Sequence, residues 1–529
     1  MGATTFSNGQ VFTGQGEDDF ASAFTITDGV FSSSSDLSES ERAAPVDLGG
    51  AVVTPGFLDV HTHPVFTATL AGAAIVLPPA VGSIEELVAA LGRQPNVGAE
   101  GEWVLGFGYD ESGYPEGRKP NRHDLDRVST TQPILVRRCD GHSAVCNTRA
   151  LEFAGITAAT PDPEGGVFER DPDGSPNGIL TEPPAVDLVE AFRPVMSREA
   201  LAASITNLNA HYLSEGIVGM CDLLSTLIAD PLETVRLAAE QGFVPQCGLH
   251  YGWREALEAY PDGLPEGSTT GRVYIAGLKL FVDGAFSDRT AWCHQPYPGG
   301  DDTGMGLLED ADLLQAAQWA RASGVQLAFH AMGDRAIQQV IDVLGPLEPW
   351  TEDVPSVRID HATLISDEMI AQIDAAPMTF AIVSHTIFYY AEYGSYEKNL
   401  SADLAGEAYP IRRYFHSDLA TALASDSPAT AWSRADHVFT SVMAAVDRRS
   451  HTGGDIGQDQ SITVPQALLL YTSRAADVAR LSGLGRIAPG YEGSFVVLDR
   501  DPFTMAAADL DQVEVAETWV RGERLYARA

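Results

Sequence analysis

Residues 1–53 alternate apolar and polar positions between turns, as in Val11-Phe12-Thr13-Gly14 and Phe24-Thr25-Ile26-Thr27-Asp28-Gly29. A period of two bounded by turn residues predicts short β-strands. Residues from about 487 to 529 repeat the pattern in Ser494-Phe495-Val496-Val497-Leu498 and Thr518-Trp519-Val520-Arg521-Gly522-Glu523. Between 56 and about 486 the rhythm is strand then helix. Gly216-Ile217-Val218-Gly219-Met220-Cys221-Asp222 precedes a helical pattern over 232–240, and a second helical pattern over 313–323 leads into a run ending at His330. That rhythm predicts an α/β barrel of βα units. The interval 75–185 breaks it with Asp162-Pro163-Glu164-Gly165-Gly166 and the turn-rich 171–177. It is too irregular for one barrel helix and reads as an inserted subdomain that roofs the active site. No internal repeat is visible.

Chemistry concentrates at the ends of the apolar runs. Thr54-Pro55-Gly56-Phe57-Leu58-Asp59-Val60-His61-Thr62-His63-Pro64 closes in two histidines spaced i, i+2. On a strand that spacing puts both imidazoles on one face, which suits a divalent transition metal. His330 closes Val325-Gln326-Leu327-Ala328-Phe329-His330, His361 closes Val357-Arg358-Ile359-Asp360-His361, and Asp426 closes Thr421-Ala422-Leu423-Ala424-Ser425-Asp426. A parallel barrel gathers its chemistry at such strand ends. Taken singly, each histidine could be an ordinary hydrogen-bonded residue and Asp426 a turn or cap residue. Together with Lys279 they make six donors from five strands, enough for two metals.

Lys279 stands in the apolar run Val273-Tyr274-Ile275-Ala276-Gly277-Leu278-Lys279-Leu280-Phe281. The chain has only three lysines, Lys119, Lys279 and Lys398, among 33 basic residues. An unpaired ammonium inside a strand is costly, and arginine cannot lose its proton to become a nucleophile. A buried neutral amine can take up carbon dioxide as a carbamate, an anionic ligand able to bridge two metals. The other reading is an ammonium paired with Asp283 or another carboxylate.

These residues, in this order, resemble the metal-dependent amidohydrolase superfamily. The nearest branch is amidohydrolase family 3, which includes N-substituted formamide deformylases. The resemblance covers almost the whole chain and includes Gly106-Phe107-Gly108-Tyr109-Asp110, Arg137-Arg138-Cys139-Asp140-Gly141-His142 and Asn177-Gly178-Ile179-Leu180-Thr181-Glu182. It implies a (β/α)8 TIM-like barrel over 56–486 and a small β-sandwich built from both chain ends, 1–55 and 487–529. It implies an α metal on His61, His63 and Asp426, a β metal on His330 and His361, and carboxylated Lys279 between them. Zinc is the expected ion, with manganese or iron as alternatives. One departure stands out. Where the branch has a Val-Gln-Pro-like stretch, this chain has Ile382-Val383-Ser384-His385-Thr386, so His385 is either a pocket residue or without a role, and a family substrate preference does not transfer.

The implied reaction is hydrolysis of an amide, N-substituted formamide or cyclic amide by a metal-bridging hydroxide, with Asp426 shuttling the proton to the leaving nitrogen. Asp110, His142, Arg335 and His385 are the candidate substrate contacts, His142 the strongest of them by resemblance and a second candidate catalytic residue. Arg335 reads equally as part of a helix start. Aromatic residues Tyr109, Tyr114, Phe286, Trp292, Phe388, Tyr389 and Tyr390 suggest an apolar pocket or ordinary core. An ester or lactone hydrolase at the same metals, a one-metal enzyme, and a noncatalytic binding relative are the alternatives.

Composition narrows the partners. The 529 residues carry 73 acidic against 33 basic side chains, a net charge of −40. That field opposes nucleic acid and anionic membrane, leaving a small-molecule substrate, with a homodimer as the assembly left open. Evenly spread acidity with almost no lysine reads as adaptation to molar salt, where screening removes self-repulsion. A GC-rich genome favouring arginine is the other explanation. No apolar run is long enough to span a membrane, the N-terminus lacks the pattern of a signal peptide, and five scattered cysteines argue against a disulfide scaffold. A cytoplasmic enzyme is expected. No glycine-rich stretch has nucleotide-binding spacing.

Overall fold

The structure, a computed structural model, describes residues 3–33, 45–139, 141 and 143–529. Two compact units emerge: Met1–Val65 with Ala202–Asp426 and Asp436–Ala529, and Phe66–Leu201 with Ser427–Ala435.

The first unit is built on eight parallel strands. In chain order they are β1 (Phe57–Thr62), β2 (Ile217–Leu223), β3 (Gln246–Gly252), β4 (Val273–Phe281), β5 (Gln326–Ala331), β6 (Val357–His361), β7 (Phe380–Ser384) and β8 (Ala420–Leu423). Each pairs with its successor, so spatial order follows chain order from β1 to β8. Almost every strand position is buried, as expected where both faces of a parallel sheet are covered. No regular ladder joins β8 to β1. The seam is instead bridged just past β8, where Asp426 N donates to His61 O at 2.8 Å and Ser425 donates to the Asp59 carboxylate through Oγ at 2.5 Å and N at 3.2 Å. The sheet is thereby a nearly closed barrel of the TIM type.

Helices pack by their apolar stripes. Asp334–Leu344 buries Ala336, Ile337, Val340, Ile341 and Leu344, the three-and-four spacing of one helical face. Asp367–Ala375 begins at Ser366, whose hydroxyl accepts from Met369 N.

Both chain ends contribute to one hydrogen-bonded sheet. Its order is Glu523–Ala527, Val515–Val520, Phe495–Leu498, Val52–Pro55, Thr4–Phe12, Phe20–Thr27 and Val30–Ser32, with Val46–Asp47 beside Thr4–Phe12. Phe6, Val11, Ile26, Phe31, Val53, Phe495 and Val497 form its core.

The second unit is wider than 75–185 and takes in a stretch that follows β8. It contains a mixed six-stranded sheet, in order Val167–Arg170, Pro176–Thr181, Ala144–Cys146, Ile134–Arg138, Val104–Tyr109 and Ala74–Ile75. All five cysteines are buried. Among the described residues, no helix is long and apolar enough to cross a membrane.

Candidate metal centre

The ends of β1, β4, β5, β6 and β8 bring five of the expected donors close to Asp426 or to one another. Asp426 has φ +55, and its carboxylate Oδ1 lies 2.7 Å from His63 Nε2 and 3.4 Å from His61 Nε2. Oδ2 lies 3.9 Å from His361 Nε2. His61, His361 and Asp426, all buried, each offer a ligand atom, with the three atoms within 4.8 Å of one another. Neutral imidazole and carboxylate together suit zinc and, less selectively, manganese or iron.

His361 reaches this point through a break in the strand. On β6, alternation directs Arg358 and Asp360 to one face and a regular His361 to the other. His361 has φ +69 and Ala362 φ +46. For residues with a Cβ such left-handed geometry costs about 1–3 kcal/mol each. It lets two consecutive residues, Asp360 and His361, serve one site.

His330, at the end of β5, packs with its ring centroid 4.4 Å from that of His361. Its Nε2 meets Gly284 O at 3.1 Å. Donation there leaves Nδ1 as the nitrogen with a free lone pair. Lys279, on β4, is buried with Nζ 3.6 Å from Asp360 Oδ2 and 5.1 Å from the Phe281 ring centroid. The partner is Asp360 rather than Asp283. Asp283 instead accepts backbone N–H groups from Trp292, Met332 and Gly333 at 2.8–3.0 Å, and so folds the loop that presents Gly284 O.

His385 follows β7 and is fully buried. Its ring lies 4.8 Å from His61, edge-on, and 4.4 Å from His361, with Phe388 at 5.3 Å. Neither of its nitrogens has a hydrogen-bond partner among the described residues. Arg335 and Asp110 have partners of their own. Arg335 is exposed, its guanidinium 4.4 Å over the Trp292 ring at a helix start. Asp110, in the second unit, caps the turn Glu111–Gly113 and lies 3.5 Å from Arg138. His142 lies outside the described residues. Of the aromatic candidates Phe388 touches the histidines. Tyr389 stacks on Tyr396, Phe286 packs against Tyr396 and Tyr297, and Tyr390 meets His451. Phe281, not singled out from the sequence, lies 5.4 Å from His330. It sits two residues past Lys279, the spacing that puts it on the same strand face.

Electrostatics divides the histidines. Burial, then the charge of Lys279, holds His61 far below the usual imidazole value. Burial, then His330 and His385, does the same to His361. Burial brings His330 to about 3 and His385 to about 4. These rings are neutral, with lone pairs to give. His63 differs: burial pulls it down, but the hydrogen bond and charge of Asp426 outweigh that and hold it above its ordinary value. Asp426 is correspondingly held low, burial being overcome by His63. Burial lowers Lys279 despite the opposing charge of Asp360.

A family model described as "Amidohydrolase family" matches residues 45–526. The N-substituted formamide deformylase of Arthrobacter pascens is 27% identical over 508 residues, covering 92% of this chain and 90% of that protein. The crystal structure of an uncharacterized metal-dependent hydrolase from Pyrococcus horikoshii OT3 superposes with TM-score 0.75 at 24% identity, covering 96% of this chain and 99% of the other. A counterpart from Pyrococcus furiosus gives 0.73 at 23%, covering 95% and 100%.

Proposed function

This chain belongs to the amidohydrolase family, and from that premise we propose that it is a metal-dependent hydrolase of carbon–nitrogen bonds acting on an amide, N-substituted formamide or cyclic amide. The observation that carries the reading is the meeting of His61, His361 and Asp426 donor atoms in one buried cluster, with His63 on the same carboxylate. The donor set fits a divalent ion: His61, His361 and His330 are held neutral, and Lys279 Nζ and His361 Nδ1 are buried without hydrogen-bond partners. His61, His63 and Asp426 would hold one zinc, His330 and His361 a second, with Lys279 as its carbamate between them. Such ions supply Lewis acidity toward a carbonyl and toward water.

The residues contribute the rest. Asp426 Oδ2, the oxygen farther from His63, takes the proton of the attacking water and returns it to the departing nitrogen. An amide needs that return because an amine anion is a very poor leaving group. His385, neutral and unbonded, donates to the carbonyl oxygen as negative charge develops there. Phe388 and Phe281 offer apolar walls to an N-substituent. The relative's name puts N-substituted formamides at the head of the substrate panel.

Metal content tests the reading. Elemental analysis of protein purified in molar salt without chelator is expected to give two transition-metal ions per chain. N-substituted formamides, other linear amides, cyclic amides and matched esters would then be assayed, with faster turnover of an amide expected. One ion per chain would favour a second reading, in which Lys279 remains an ammonium against Asp360 at 3.6 Å. No ion after reconstitution, and no turnover, would leave a noncatalytic relative of the fold.

A pH dependence follows from the His63–Asp426 pair. A cation must displace the proton that Asp426 holds on His63. Cobalt affinity is therefore expected to fall about tenfold per pH unit below the raised His63 pKa and to level off above it. Titration by cobalt absorption between pH 5.5 and 8.5 measures this; a flat profile excludes His63 as a ligand.

A further inference from the structure

We propose that Arg358 and Asp360 form a brace through the barrel interior that orients His61 and Lys279 toward the metal position; this rests on the metal-centre reading above. Both side chains are fully buried. A buried ion pair is at best weakly stabilising relative to apolar packing, and barrel interiors of this kind are filled mainly by branched apolar residues. Packing alone therefore gives no reason for the pair.

Its contacts do. Arg358 Nε bonds Asp360 Oδ1 at 2.7 Å, and Arg358 Nη2 donates to Val60 O at 2.9 Å. Val60 immediately precedes His61 on β1. In the barrel order β7 and β8 separate β6 from β1, so this bond crosses the lumen instead of following a ladder. The other oxygen, Asp360 Oδ2, faces His61 Nδ1 at 3.0 Å and Lys279 Nζ at 3.6 Å. These two contacts are electrostatic: Asp360 Oδ2, His61 Nδ1 and Lys279 Nζ are buried and make no hydrogen bond to one another or to any other described residue. One side-chain pair thus addresses β1, β4 and β6, three of the strands that bear candidate ligands.

A carboxylate facing Nδ1 favours the tautomer with its proton there, leaving the lone pair on His61 Nε2, the nitrogen that lies 3.4 Å from Asp426. Asp360 touches no reacting atom in this arrangement; it is a positioning residue.

Cobalt binding to the full chain tests the brace. Asp360→Asn keeps the shape and removes the charge. It is expected to fold normally by circular dichroism, to bind cobalt about 10- to 100-fold more weakly, and to show shifted visible absorption bands as the His61 ring turns. Asp360→Glu is expected to recover part of both. Wild-type affinity and spectrum in Asp360→Asn would overturn the proposal, whatever the variant's melting temperature, because a purely structural carboxylate moves only the latter. Should Asp360→Asn fail to fold, the double variant Arg358→Met with Asp360→Asn removes the stranded cation. The same weakening there supports the brace, and unchanged affinity and spectrum refute it. A wild-type chain that binds no cobalt would instead defeat the metal-centre reading.

Discussion

Asp426→Asn is expected to lower turnover by about 10²- to 10⁴-fold while the barrel remains folded. The bond across the β8–β1 seam from residue 426 is made by its backbone N to His61 O, and the adjoining link uses Ser425 and Asp59, so neither depends on the Asp426 carboxylate. On the proposed mechanism, what is lost is the proton acceptor and one anionic ligand. His63, which is not sealed from solvent, can shed its proton once the carboxylate is gone. The stability cost is pH-dependent and its sign is fixed. The raised His63 pKa contributes stability below the ordinary imidazole value of 6.5, lost as pH rises through the raised value. The lowered Asp426 pKa contributes above 3.8, lost as pH falls through the lowered value. The deficit in melting temperature should therefore be greatest between about pH 4 and 6.5 and smaller at pH 9. Near-normal turnover in the variant would remove Asp426 from the proton-transfer role.

All the candidate donors except Lys279 lie at the end of an apolar run in the sequence, and strand ends converge in a parallel barrel whatever the loops do. His61 and His63 needed only the period of two. Asp360 and Arg358 were not singled out, since a charged pair at i, i+2 within an apolar strand carries no local sign of what it meets across the lumen. The alternation rule also set Asp360 and His361 on opposite faces, and only the left-handed backbone at His361 undoes that. For Lys279 the neighbouring carboxylate is Asp360 and not Asp283, because nearness in sequence counts for less than contacts inside the barrel. In the second unit, the six-stranded sheet was hidden by glycine-rich sequence. Gly178 shows why, with φ +92 and a Cβ that would fall 2.2 Å from Cys146 O. Glycine is required there by close approach of two strands, although it reads as a loop signal.

Lys279→Ala is expected to lose metal and activity together, by a larger factor than any pocket substitution. Burial lowers the Lys279 pKa, which favours the neutral amine that carbon dioxide requires, whereas Asp360 at 3.6 Å favours the ammonium. The two possibilities differ in what rescues the variant. If the carbamate bridges two ions, alanine leaves room for a short carboxylic acid, and acetate or propionate should restore part of the metal content and turnover. If Lys279 serves only as a cation beside Asp360, no carboxylate can replace it, since a second anion would be placed against the first. Lys279→Arg separates them again. The guanidinium keeps the charge and cannot be carboxylated, so an inactive, metal-poor Lys279→Arg is the expected result, read by elemental analysis and by turnover of the best amide. Full activity in that variant excludes the carbamate and returns the centre to a single ion on His61, His361 and Asp426.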